Sequence, residues 1–93
     1  MPINIYIEES ASMLDWLCDE NCELPNQIYA LEKWLINKGQ YLEPSNYIAD
    51  IRFSIRKDAA GGGAALSSEC MAIIVMIGMN VYFSEYRKHQ LNA

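Results

Sequence analysis

Ten consecutive residues, Cys70 to Met79, carry no charge, hydroxyl or amide in their side chains. A bilayer crossing needs about 20 such residues, so the rest of the chain has to cover this run. The run also comes with its own ends. Ser67 can accept a bond from the free amides of a first helical turn, and Gly78 tolerates the left-handed conformation that closes a helix. A helix is therefore predicted from Ser67, as N-cap, to Ile77, with Leu66, Cys70, Ile73, Ile74 and Ile77 on its buried side. Met71, Val75 and Met76 make it apolar nearly all round, which predicts burial from more than one direction.

Strands are predicted on both sides of this helix. Tyr47, Ala49, Ile51, Phe53 and Ile55 alternate with Ile48, Asp50, Arg52, Ser54 and Arg56; after the helix, Met79, Val81 and Phe83 alternate with Asn80, Tyr82 and Ser84. A period of two is the pattern of a strand with one buried side. Between them lie Lys57, Asp58 and the triple glycine Gly61, Gly62, Gly63, an open connection.

The first half reads as strand, helix, helix, loop. Ile3, Ile5 and Ile7 alternate with Asn4, Tyr6 and Glu8. From Ser10 or Ser12, either a candidate cap, the spacing of Met13, Leu14, Leu17 and Cys18 predicts a helix that ends before Pro25. Pro25 suits the first position of a second helix, carrying Ile28, Leu31 and Leu35 with Trp34 and Ile36, and Lys38 with Gly39 closes it. Residues 40–46, with Pro44, form a loop. The expected fold is α+β or α/β: a single small domain, β-α-α-β-α-β, with helices packed on one face of a three-stranded sheet. The domain spans residues 1–86 and a polar tail residues 87–93. A length of 93 residues suits one domain.

Charge is unevenly distributed. The net charge is −5, yet residues 1–50 hold nine acids and two bases, whereas residues 51–93 hold three acids and five bases. Such a balance opposes direct nucleic-acid binding through phosphates and favours a basic protein partner. On the predicted first helix Asp15, Asp19 and Glu23 fall at intervals of four on one face. With Glu20, and with Trp16 as a candidate buried anchor, they form the first candidate binding surface. A second lies on the sheet face turned away from the helices, where Tyr6, Arg52, Arg56, Tyr82 and Tyr86 would emerge. Tyrosine and arginine are enriched at protein interfaces.

No catalytic constellation is apparent. His89, the one histidine, stands in the polar tail, and Cys18, Cys22 and Cys70 lack the spacing of a zinc or redox motif. An odd cysteine count and no basic-then-apolar leader point to reduced thiols in a cytoplasmic, non-membrane protein. No cofactor or metal is expected. The glycine loop, with Arg56 and Lys57 upstream, has the strand-loop-helix order of a phosphate cradle but not its motif spacing. It supports an alternative reading, a small anion- or nucleotide-binding regulatory domain. A homodimer or larger homo-oligomer through the open sheet face is a third.

The C-terminal third, from Ile51–Ile55 through the glycine loop and Leu66–Glu69 to Val81–Tyr86, resembles the strand-helix-strand endings of small bacterial immunity proteins. The resemblance implies an acidic cytoplasmic protein that neutralises a cognate toxin domain, of the kind delivered by contact-dependent or other polymorphic toxin systems. The expected function is thus a non-catalytic protein-binding inhibitor of the immunity type.

Overall fold

The computed structural model describes residues 3–18, 23–54 and 63–86. The isoleucine alternation at the start forms β1 (Ile3–Ile7). A turn over residues 8–11, closed by Ala11 in the left-handed region at φ 54°, returns the chain antiparallel as β2 (Ser12–Leu17). This hairpin replaces the expected first helix, and the reason is local. The β1–β2 register steps from Ile5↔Asp15 to Tyr6↔Met13, leaving Leu14 as an extra residue. A bulge of this kind shifts the strand's phase. Met13 and Trp16, three apart, come to the same face, and the sequence spacing imitates a helical one. The Ser10 hydroxyl, expected to cap that helix, accepts from the Ser12 amide within the turn at 3.3 Å.

Next comes α1 (Leu24–Asn37), which begins one residue before Pro25 and buries Ile28, Leu31, Trp34 and Leu35. Ile36 is exposed rather than part of that stripe. A 3-10 turn (Gly39–Tyr41) leads to β3 (Tyr47–Ser54), α2 (Ser68–Ile77) and β4 (Asn80–Tyr86). Both predicted ends of α2 are present. Ser67 Oγ accepts from the Cys70 amide at 3.2 Å, and Gly78 sits at φ 80°. A Cβ at Gly78 would lie 2.6 Å from the Ser45 carbonyl oxygen, so this close approach requires glycine.

Among the described residues the sheet has four strands, not three, in the order β2-β1-β3-β4. β1 pairs antiparallel with β2 and with β3, whereas β3 and β4 run parallel across α2. The class is α+β, and both helices cover one face, as expected. Ile3, Ile5, Ala49 and Ile51 point to that side and pack with Leu31 and Leu35 of α1 and Cys70, Ile73 and Ile77 of α2. Two expectations of burial fail at the periphery. Met71, Val75 and Met76 are exposed, Val75 at 78%, because α2 meets the core along its Cys70–Ile73–Ile77 stripe, with Ile74 beside it, and nothing among the described residues covers its other side. Phe83 is exposed although its register with Ile51 sets it on the helix side, whereas Val81 of the same edge strand packs against the core.

Candidate binding surface

With both helices on one side, the alternation of four strands delivers a second set of side chains to the uncovered side. The registers arrange them in rows across the sheet. Asn4 lies between Trp16 and Asp50, and Asp50 lies beside Tyr82. Tyr6 lies between Met13 and Ile48, and Arg52 lies beside Ser84. At about 4.8 Å per strand, the first row sets Trp16 and Tyr82 about 14 Å apart, with polar groups between them. Trp16 is 41% exposed, Tyr82 48% and Met13 54%.

A short polar network fixes the middle of the face. Asp50 Oδ2 lies 3.2 Å from Arg52 Nε, and Asp50 Oδ1 accepts from Ser84 Oγ at 2.9 Å. Because Asp50 stands opposite Asn4, this pair draws the Arg52 guanidinium along β3 to the Asn4 row. From the helix side, the Gln27 amide donates to the Arg52 carbonyl at 2.6 Å. The result is a concavity of about 220 Å³ lined by Asn4, Tyr6, Ala11, Met13 and Arg52. Asn4 Oδ1, shielded from solvent, makes no hydrogen bond.

The two candidate sets from the sequence are thereby redistributed. Tyr6, Arg52 and Tyr82 share the open face, and Trp16 joins them. Tyr86 ends β4 in register with Ser54. Arg56, Asp19 and Glu20, together with Lys57, Gly61, Gly62, Cys22 and His89, lie outside the described residues. Asp15 turns the other way, in register with Ile5, to the helix side. Its Oδ2 accepts from the Trp34 indole at 2.8 Å and from Lys38 Nζ at 3.3 Å, and its Oδ1 accepts from the Trp16 amide at 2.9 Å. Burial raises its pKa, but those three donors outweigh the burial and hold the carboxyl below the ordinary aspartate range. Glu23 occupies the N-cap position of α1. The single acidic helix face of the sequence reading does not form, since Asp15 lies on a strand and Glu23 at the start of α1.

Other acids of the first half are also engaged. Glu32 Oε2 accepts from the Ser67 amide at 2.7 Å, which lowers its pKa and joins α1 to the start of α2. Glu9 accepts from the Asn46 amide group, tying the hairpin turn to the loop before β3, and its pKa is lowered by that bond. Cys70 is fully buried, and burial pushes its thiol pKa up, against any nucleophilic role. Among the described residues no three His, Cys, Asp or Glu side chains group to hold a metal, and no helix is long and apolar enough to cross a membrane.

Sequence reasoning missed Met13, Asn4 and Ala11 as parts of one surface. For Asn4 the alternation with Ile3 and Ile5 carried the signal; for Met13 the bulge hid it. No family model, curated protein or solved structure matches the chain.

Proposed function

We propose that the chain is a non-catalytic protein-binding inhibitor of the immunity type, acting in the cytoplasm on a toxin domain, and that it engages this partner through the helix-free face of its sheet. One observation carries the reading: the cross-strand row Trp16–Asn4–Asp50–Tyr82, in which two exposed aromatics flank a polar centre. Aromatic residues, methionine and arginine are the side chains enriched in the buried centres of protein interfaces. A net charge of −5 supports a basic partner and faster association with it. The resemblance of residues 51–86 to immunity proteins supports the toxin-neutralising class.

Site-specific photo-crosslinking tests this reading. A photoreactive residue is placed at Trp16 or Tyr82 on the open face, or at Val75 on the exposed side of α2, in the intact chain within its native cells. The reading expects crosslinks to one heterologous protein from Trp16 and Tyr82 and not from Val75. Co-expression of the chain should then suppress the toxicity of that protein. Crosslinks from Val75 alone, a product of twice the chain's own mass, or no protection on co-expression would overturn it.

A further inference from the structure

The open face contains a socket as well as a surface. A dry cavity of about 150 Å³ already accommodates a benzene ring, and the concavity of about 220 Å³ between β1, β2 and β3, which opens broadly to solvent, has room for one aromatic ring laid into it with its polar substituent. Its walls select for such a ring. Arg52 is held at Nε by Asp50 and so keeps its planar guanidinium over the Asn4 row. A guanidinium in that position attracts the face of an aromatic ring. Across the concavity stand the Met13 thioether and the Tyr6 ring, a sulfur–aromatic contact and an aromatic–aromatic contact for the same occupant. Asn4 Oδ1 is buried without a hydrogen bond. Native structures seldom leave such an acceptor unmet, and a ring carrying an O–H or N–H brings the missing donor once the amide turns towards it.

We infer that this concavity receives a tyrosine or tryptophan side chain of the protein partner, stacked against Arg52 and hydrogen-bonded to Asn4. The inference rests on the proposed function and names the chemistry by which that face would recognise its partner. A protein side chain fits better than a nucleobase, because the chain's net charge of −5 repels the phosphates that accompany a base.

The test uses the intact chain and small blocked amino acids as probes, observed by NMR at the Met13 methyl group and the Asn4 side-chain amide. N-acetyl-tyrosinamide and N-acetyl-tryptophanamide should shift both signals saturably in the millimolar range, and N-acetyl-leucinamide should not. Arg52→Ala, which removes the cation over the ring, should weaken tyrosinamide binding about three- to fivefold. Met13→Ala, at an exposed position where folding is not at risk, should weaken it about two- to fivefold. Absence of saturable shifts, equal shifts with the leucine derivative, or tighter binding of adenosine monophosphate would overturn the inference. Crosslinking through Trp16 and Tyr82 with an empty socket would remove the aromatic anchor and leave the docking face standing. A socket that binds the tyrosine probe without any crosslinked partner would do the reverse.

Discussion

The two faces of this sheet are made by the same four strands, yet they solve opposite problems. On the helix side Ile3, Ile5, Ala49 and Ile51 are fully buried, and even a carboxylate there, Asp15, has three donors. On the other side Trp16, Met13 and Tyr82 face solvent, and Asn4 Oδ1 lacks a partner. The difference separates residues that hold the fold from residues available for binding. Strand alternation sets the division, because successive side chains point to opposite faces, and it has exceptions: Ile48 is buried on the open side and Phe83 is exposed on the helix side. A sheet with antiparallel pairs can keep one face wet, but an ordinary wet face is lined by polar and charged residues. Here large aromatics and a methionine occupy it, half exposed to solvent.

If that division holds, the largest loss of stability comes from the helix side. Ile51 is central on β3 and fully buried among residues of both helices. Ile51→Ala should cost about 2–5 kcal/mol, from lost burial and the cavity left behind. Urea unfolding followed by far-ultraviolet circular dichroism should show it as a lower midpoint with an unchanged slope. A loss below about 1 kcal/mol would mean that the helix layer is not the core.

Asp15 is expected to give an intermediate effect, and it tests whether a polar group on the helix side braces the fold. Asp15→Ala removes the acceptor of the Trp34 indole and of Lys38 and should cost about 1–2 kcal/mol. Asp15→Asn, which keeps one acceptor oxygen, should cost less. The pH dependence has a definite sign. The folded carboxyl is held below the ordinary aspartate range, so its contribution is complete above about pH 4, the unfolded value. That contribution disappears as pH falls through the lower folded value. The stability gap between the wild type and Asp15→Asn should therefore be constant above about pH 5 and narrow on acidification. A gap that widens below pH 4 would contradict the assignment of the three donors.

The C-terminal βαβ half was legible because each of its signals is local. Ser67 and Gly78 bracket α2 through their own cap geometry, and the apolar-polar alternation from Ala49 to Phe53 is uninterrupted. The hairpin was not legible, because its one irregularity falls inside a six-residue strand. With Leu14 as an extra residue, Met13, Leu14, Leu17 and Cys18 show the spacing of an amphipathic helix. Only pairing with β1, which a sequence pattern does not contain, decides against it. The same error divided the binding surface into two candidates. Alternation alone sets Tyr6, Arg52 and Tyr82 on the open face, whereas the helical spacing sets Trp16 on a helix with Asp15. The socket was beyond reach of the sequence, since it depends on the bulge and on Arg52 bending to Asp50.

The smallest stability effect belongs to the open face, and it sharpens the comparison most. Trp16 and Tyr82 are large, and in a core their truncation would cost about 3–5 kcal/mol. At 41% and 48% exposure on a face that no helix covers, each should shift stability by about 1 kcal/mol when changed to alanine, the scale of a cross-strand pair rather than of a core residue. They lie at opposite ends of one row, with Asn4 and Asp50 between them, so their effects should be close to additive. A double variant as folded as the wild type by circular dichroism, but no longer captured by the crosslinked partner, would separate binding from folding within one sheet. A double variant that unfolds would place these aromatics among the groups that hold the sheet together, and the two faces would then differ less than their exposure implies.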